Sequence, residues 1–554
     1  MNIFSRLESE VRGYIHSFPT VFKTAKNAVL VDEKNKHYID FLAGAGTLNY
    51  GHNNPVLKQA AIDYLLQDGI VHGLDMATSA KKAFIETFEQ YILKPRALDY
   101  KLQFTGPTGT NAVEAAIKLA RNVTKRHNII AFTNGFHGVS LGALSLTGNQ
   151  KFREAAGVEL GNVHHAAYAG YFGDDVDTIA MLDKLLTDRS SGVDLPAAII
   201  VECVQGEGGL NTASMQWLKK LSTLCKQHKI LLIVDDIQAG CGRSGSFFSF
   251  EKAGIYPDIV TLSKSLSGFG LPMSLVLFKP SLDIWKSGQH NGTFRGNNLA
   301  FVTATTAIQK FWADQKFQAE LAQKSELVSS RLRHIVQKFP EAELTHRGRG
   351  LMQGVAFKNP DLADEVTTQA FNLGLVIETS GSRGEVVKLL PPLTIENETL
   401  EKGIDLLTQA IEQVVQDDAH AKTLNILNTE RDVQTETWAS RRLLLQEDGM
   451  GFSMHETTIF AGTQTHIWYK NHLEAVYCVQ GEGEVELIPS GEVYKITPGT
   501  LYALNKNDNH YLRAKTDLVL VCTFNPALVG TEVHDKDGVY ATSEQMMKQV
   551  EEEA

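Results

Sequence analysis

The chain has 554 residues, 43 % of them hydrophobic and 21 % charged, and 53 Lys and Arg against 64 Asp and Glu give a formal net charge of −11. That composition belongs to a globular protein rather than a disordered or fibrous one, and its mild acidity offers little to nucleic acid or an anionic membrane. There is no run of 18 apolar residues, and the opening MNIFSRLESE lacks the basic-then-apolar pattern of a secretory leader. The five cysteines, Cys203, Cys225, Cys241, Cys478 and Cys522, form no CxxC pair. Their odd number and scatter argue against a disulfide framework or a zinc knuckle and for a reducing, cytoplasmic setting. At about 100–200 residues per domain, the length predicts three or four domains.

In chain order, NAVEAAIKLARNV (111–123) has helical spacing and NIIAF (128–132) reads as a short buried strand. PAAIIVEC (196–203), KILLIVDD (229–236), DIVTL (258–262) and MSLVLF (273–278) read the same way, with helical stretches such as MQWLKKLSTLCKQH between several of them. Continuous apolar strands separated by helices predict a mostly parallel α/β sheet covered on both faces, with ligands at the carboxyl ends of its strands. Residues 318–415 read as a smaller α+β unit: helix AELAQKSELVSSRLRHIVQKF, strands GLMQGVAF and EVVKLL, and closing helix LEKGIDLLTQAIEQVVQ. After the polar stretch 416–437 the period becomes two, and strands punctuated by Gly, Pro and Asn turns predict an all-β barrel or sandwich of about 120 residues. Residues 423–554 hold 10 basic and 20 acidic side chains, nearly the whole net charge. Two joined units explain that asymmetry better than the short acidic end EEEA.

In the first unit, KILLIVDD ends in Asp235 and Asp236, which point to opposite faces of a strand and so cannot both meet one ligand. Lys264 follows the DIVTL strand, 29 residues after Asp235. One βαβ step takes about 30 residues, so the two can emerge at the same sheet edge. Alone, each is more often a cap or a solvated side chain. Together, a lysine after a buried strand and a buried aspartate make a Schiff-base candidate. The Gly/Thr loop of FTGPTGTNAVEAAIKLAR (104–121) opens a helix and can hold a phosphate, and Phe136 in GFHG can stack on a flat ring.

Jointly these runs resemble the class III aminotransferases of pyridoxal phosphate fold type I, whose hallmark segments match VECVQGEGG (201–209), VDDIQAGCGRSG (234–245), TLSKSLSGFGLP (261–272) and GTFRGNNLA (292–300). The resemblance implies that Lys264 carries the Schiff base and shuttles the proton, Asp235 pairs with the pyridinium nitrogen, and Gln238 meets the ring hydroxyl. Phe136 would stack, and Gly109 and Thr110 would bind phosphate with Thr293 of a neighbouring subunit, so at least a homodimer is implied. MNIFSRLESEVRGYIHSFPTVF, DFLAGAGTLNYGHNNP (40–55) and GPTGTNAVEAA resemble the diaminobutyrate–2-oxoglutarate branch over nearly all of residues 1–415. The implied division is a large cofactor-binding domain over about 50–317 and a small domain made from the N-terminal segment and about 318–415. Many class III enzymes place an arginine before the PPL run, to exchange with a gating glutamate at the position of Glu207. Here the residue is Lys388, which cannot form a bidentate fork with a carboxylate. Glu207 and Lys388 are then the expected handlers of glutamate.

In the second unit (438–554, after the 416–437 linker), Glu474, Tyr502 and His510 lie on neighbouring predicted strands. Such a trio can converge on one metal and leave positions open, although a barrel tyrosine is more often core. Residues 422–540 resemble ectoine synthase of the cupin superfamily, with Tyr502 standing where a cupin motif usually ends in histidine. The resemblance implies Fe(II) on Glu474, Tyr502 and His510, a donor set that suits zinc as well. It also implies substrate contacts from Trp438, Arg442, Thr457, Tyr469, Phe524, Glu532 and His534, with Glu532 or His534 taking protons.

The combined expectation is a bifunctional enzyme of ectoine biosynthesis, a compatible-solute (osmoprotection) pathway. Glutamate would pass its amino group to aspartate 4-semialdehyde, giving diaminobutyrate and 2-oxoglutarate. Acetylation by a separate enzyme would follow, and the barrel would close acetyl-diaminobutyrate to ectoine with loss of water. A rival reading keeps the transaminase and makes the barrel a non-catalytic ligand sensor; another changes the amine to ornithine or 4-aminobutyrate.

Overall fold

The structure is a computed structural model that describes residues 3–419, 431–506 and 508–530. The chain separates into two compact units, Met1–His420 and Ala421–Ala554. The three or four domains expected from length become two, because one core runs from Ala28 through the central sheet to Val415 and joins the large and small parts of the first unit.

The first unit is built on seven strands: β1 Lys101–Phe104, β2 Ile129–Phe132, β3 Val163–Ala166, β4 Ala198–Val201, β5 Leu231–Asp235, β6 Ile259–Leu262 and β7 Leu275–Phe278. Their order is β1-β7-β6-β5-β4-β2-β3. β7 runs antiparallel to both its neighbours, and the remaining pairs are parallel. Every residue of β2, β4, β6 and β7 is buried, which is why these strands show unbroken apolar runs instead of alternation. Helices α1 (Gly109–Thr124) and α2 (Met215–His228) are among those that cover it. The strands β5 and β6 lie side by side with Asp235 opposite Thr261, which sets the carboxyl-end edge where the site forms.

The smaller part carries the helix Lys316–Lys338 and a four-stranded antiparallel sheet ordered Thr345–Arg349, Met352–Ala356, Val386–Leu389, Glu378–Ser380. A helix over Pro360–Leu373 was not among the expected elements, although its start is written in the chain: Asn359 caps it and Pro360 occupies its first position. The closing helix, Asn397–Ala419, runs past residue 415. The N-terminal strands Phe22–Lys26, Val29–Asp32 and His37–Asp40 form a sheet completed in parallel by Leu375–Val376, so the chain start packs with the smaller part.

The second unit has two antiparallel sheets. One orders 432–434, 438–444, 453–459, 518–525, 473–480, 501–504; the other orders 464–467, 510–514, 483–487, 492–496. Leu518–Asn525 is buried at alternate residues, and Val485 and Leu512 of one sheet share a core with Val476 and Leu520 of the other. This all-antiparallel arrangement is that of a cupin barrel. No helix among the described residues is long and apolar enough to cross a membrane, and all five cysteines are buried and unbridged.

Candidate active sites

In the first unit the site begins with a left-handed turn. Ala43, Gly44, Ala45 and Gly46 have φ of 47°, 61°, 55° and 81°, a conformation that costs about 1–2 kcal/mol at each non-glycine residue. The alternating glycines of LAGAG make it tolerable. The turn presents the Ala45 carbonyl to the Lys264 ammonium at 2.9 Å and to Gln238 Nε2 at 3.1 Å. Lys264 is itself left-handed, at φ 49°, two residues beyond Leu262, which ends β6. Burial pushes its amine below the ordinary 10.5, against the pull of Glu207.

Asp235 ends β5 and its carboxylate is held from three sides. His137 Nδ1 lies 2.7 Å from Oδ2, while the Thr261 hydroxyl and the Ile237 N–H donate to Oδ1 at 3.2 Å each. Burial alone would lower the His137 imidazole, but the hydrogen bond and charge of Asp235 hold it above its ordinary value. Asp236 turns the other way, as strand alternation requires, and accepts from Ser249 N–H at 3.0 Å. Glu202, pushed up to about 7 by burial, accepts from the Phe136 N–H at 2.9 Å and so fixes the half-buried ring.

These side chains fit pyridoxal phosphate. Gln238 Oε1 is buried without a hydrogen-bond partner among the described residues. A Cβ at Gly206 would lie 1.6 Å from that oxygen, so any larger residue there would push the Gln238 amide from its place. The first-turn N–H groups of Gly109 and Thr110 have no intrahelical acceptor and open a phosphate seat at the start of α1. The Thr110 hydroxyl is engaged by Ser140 at 2.6 Å, which leaves its backbone N–H for that task. Thr293 stands exposed on a separate short helix, Thr293–Arg295.

Glu207 lines a cleft of about 780 Å³ together with Phe136, Lys151, Arg153, Ser380 and Arg383. Its carboxylate receives Gln238 Nε2 at 3.1 Å and pairs with Lys388 at 2.9 Å. Lys388 is fully buried and raised above the ordinary lysine value by its two carboxylate neighbours, the second being Glu378 at 3.1 Å. The Tyr14 phenol is raised above its ordinary value by partial burial and by the nearby Glu378 and Glu207 charges. His137, Thr261, Glu202, Glu378, Tyr14 and the Ala45 carbonyl were not named from sequence. The GFHG run that pointed to Phe136 also contained His137, and the odd LAGAG run was the signal for the turn.

Burial pushes Asp236 up from 3.8 to about 7 against its bonds to Ser249. The folded protein therefore holds this proton more tightly than the unfolded chain, and its contribution to stability falls as pH rises from about 4 to 7, by as much as ~4 kcal/mol. Asp236→Asn keeps an acceptor for Ser249 and removes the charge. Its melting temperature should exceed wild type by a few degrees at pH 8 and match it near pH 4, as calorimetry of the apoprotein can measure.

In the barrel, Trp438, Thr457, Tyr469, Glu474, Tyr502 and Phe524 line one cavity of about 30 Å³. That is room for an ion or a water. Glu474 is pushed up to about 8 by burial, and its Oε2 has no hydrogen-bond partner among the described residues. Tyr502 is likewise raised by burial and by the Glu474 charge. The thiol of Cys522 lines the same cavity as Glu474 and Thr457, and Thr457 meets Ser440 at 3.1 Å. His510 begins a strand of the other sheet, is buried, and is not part of the cavity lining. Its Nδ1 lies 3.0 Å from the Asp508 carbonyl, and its Nε2 is buried and unpartnered among the described residues. Glu474 and Tyr502 share the cavity, and a carboxylate with a phenol suits a hard or borderline divalent ion, but the structure does not bring His510 into that lining. Among the described residues no three His, Cys, Asp or Glu side chains form a metal cluster; the present set relies on a tyrosine. Arg442 is buried and lies opposite His455 across paired strands, and its charge, after burial, lowers the His455 imidazole to about 3. Tyr469 and Phe524 meet edge to face at 5.1 Å. Glu532 and His534 lie outside the described residues.

Residues 12–411 match the family model of class-III aminotransferases, and residues 420–544 that of ectoine synthase. The diaminobutyrate–2-oxoglutarate transaminase of Bordetella parapertussis is 61% identical over 422 residues, covering 76% of this chain and 97% of that protein. That of Halomonas elongata is 58% identical over 414 residues, 74% and 98%. Among solved structures, the ornithine aminotransferase of Toxoplasma gondii, with pyridoxal phosphate at partial occupancy in its active site, is 25% identical with a TM-score of 0.65 over 75% of this chain and 94% of that one. A Bacillus anthracis aminotransferase, 23% identical, shares the fold with a TM-score of 0.65 over 74% and 96%.

Proposed function

Because the chain belongs to the class-III aminotransferase family and continues into an ectoine synthase region, we propose that one polypeptide performs two separated steps of ectoine biosynthesis. The first unit would move the amino group of glutamate to aspartate 4-semialdehyde, and the barrel would close acetyl-diaminobutyrate. The observation that carries this is the coexistence of Lys264 beside the Asp235–His137 pair in one unit with the buried, orphaned Glu474 in the other.

Pyridoxal phosphate, when bound, supplies an electron-withdrawing ring over which the amino nitrogen changes carbon. Asp235, oriented by His137, Thr261 and Ile237, would meet the ring nitrogen. The α1 N-terminus would hold the phosphate. Lys264, its amine lowered by burial, would take the proton from the carbon that carries nitrogen and deliver it to the other side of the transfer. Phe136 would exclude water from one ring face.

Glu474, Tyr502 and His510 would hold Fe(II), which as a Lewis acid would polarise the acetamide oxygen. The buried Arg442 would take the substrate carboxylate, and Trp438, Tyr469 and Phe524 would hold the chain folded with its α-amine near the carbonyl carbon. A new C–N bond forms there, and the carbonyl oxygen leaves as water with two protons, routed through Glu532 or His534.

The test is the full-length protein supplied with pyridoxal phosphate and Fe(II). Diaminobutyrate should appear from glutamate and aspartate 4-semialdehyde, and ectoine from acetyl-diaminobutyrate. Affinity for acetyl-diaminobutyrate without ring closure would instead support a sensor barrel.

Thr293 and the exposed apolar residues Phe294 (66 %), Ile70 and Met76 lie on segments tied by the Gly73 N–H to Gly296 carbonyl bond at 2.9 Å. A second copy covering this face would bring Thr293 to its partner's phosphate. Phe294→Asp should convert the dimer to monomer in light scattering and lower amino transfer about 100-fold or more.

A further inference from the structure

We propose that Glu378 is a positioning residue that fixes the ammonium of Lys388, so that this lysine can receive the carboxylate of the amino donor when Glu207 withdraws. The inference rests on the reading of the first unit as a glutamate-using transaminase.

The hydrogen bonds run outward from the reacting lysine in one chain. Lys264 and Gln238 share the Ala45 carbonyl, Gln238 reaches Glu207, and Glu207 pairs with Lys388. Behind Lys388 stands Glu378, directly opposite it in an antiparallel strand pair. The two carboxylates on this lysine are not equivalent. Glu207 sits on a loop, its side chain 30 % exposed, and lines the cleft. Glu378 is 11 % exposed, lies in the sheet ladder and meets Lys388 at 3.1 Å. The outer carboxylate is the one a ligand in the cleft can reach and displace, and the inner one is held by its strand.

That asymmetry answers a chemical need. An arginine carries its orientation in a rigid planar fork, whereas a lysine is a point charge on a flexible four-carbon stem. A fully buried ammonium whose only partner swung away would be left unpaired, which is strongly unfavourable. With Glu378 behind it, Lys388 stays paired and aimed throughout. A substrate carboxylate that replaces Glu207 leaves two carboxylates on one ammonium, the same charge as before, so the exchange is electrically balanced. Glutamate brings a carboxylate on its reacting carbon; 2,4-diaminobutyrate, reacting at its terminal amine, brings none there. Only the glutamate half-reaction needs the exchange.

Stopped-flow measurement of both half-reactions on the full-length holoenzyme reads this difference. In Glu378→Gln, KM for L-glutamate should rise about tenfold relative to KM for L-2,4-diaminobutyrate, with kcat for glutamate changing less than KM. Glutarate, which binds without reacting, should lose affinity by a similar factor in calorimetric titration. In Glu378→Gln with Lys388→Arg, the fork supplies its own orientation and the ratio should return toward wild type. Parallel changes in both half-reactions, an unchanged ratio, or no recovery in the double variant would overturn the proposal. Should Glu378→Gln fail to fold by circular dichroism, Glu378→Asp carries the same comparison, with a smaller selective loss expected and a non-selective one decisive against it. A wild type that reacts with neither amine removes the functional reading instead, and so separates the two failures.

Discussion

Lys264→Ala abolishes amino transfer and spares ring closure. The ε-nitrogen is held just past the carboxyl end of β6, 2.9 Å from the Ala45 carbonyl, and alanine removes the amine that would carry the proton. Loss of a positioned base that also forms the covalent link to the cofactor should cost on the order of 10⁴-fold or more in kcat/KM for glutamate. The variant should fold, because alanine meets the same left-handed backbone cost as lysine and sheds a desolvated amine. Cofactor absorbance after mixing with glutamate checks the first half of the expectation, and ectoine formation from acetyl-diaminobutyrate checks the second. A variant that still transfers nitrogen at a tenth of the wild-type rate would remove Lys264 from its role.

The reciprocal substitution, Glu474→Gln, should empty the barrel of metal and stop ring closure. Glu474 is the buried carboxyl of a cavity otherwise lined by rings, aliphatic chains and hydroxyls, and the amide that replaces it fills the same volume without offering an anionic oxygen. Metal content after dialysis, measured by mass spectrometry, should drop from about one ion per chain to near zero, and ectoine formation by roughly 10³-fold. Amino transfer should stay at the wild-type rate, since each unit has its own core. Retained metal with lost activity would mean that Glu474 acts on the substrate instead.

Much of this architecture was legible along the chain because its signals are local. Unbroken apolar runs such as NIIAF and DIVTL can only be strands buried on both faces, and they became β2 and β6. The change to period two after residue 437 marked the all-β unit. MSLVLF was equally readable as a strand, but its direction was not: β7 runs against its neighbours, and nothing in six apolar residues encodes polarity. The helix Pro360–Leu373 was missed although its cap and proline were present, because its apolar residues are diluted by Asp and Thr.

For the sites, residue types and spacing made Lys264, Asp235 and Glu474 candidates, while Gln238 was reached only through the family resemblance. They were not enough to name His137, Glu378 or the Ala45 carbonyl. His137 meets Asp235 from 98 positions away and the Ala45 carbonyl meets Lys264 from 219 positions away, contacts that exist only once the sheet edge and the N-terminal segment are assembled. Sequence alone therefore determined which groups are candidates for the chemistry, because chemical identity and strand periodicity are local properties. Tertiary structure decided which groups aim them, because orientation and burial arise from packing between segments that share no local pattern.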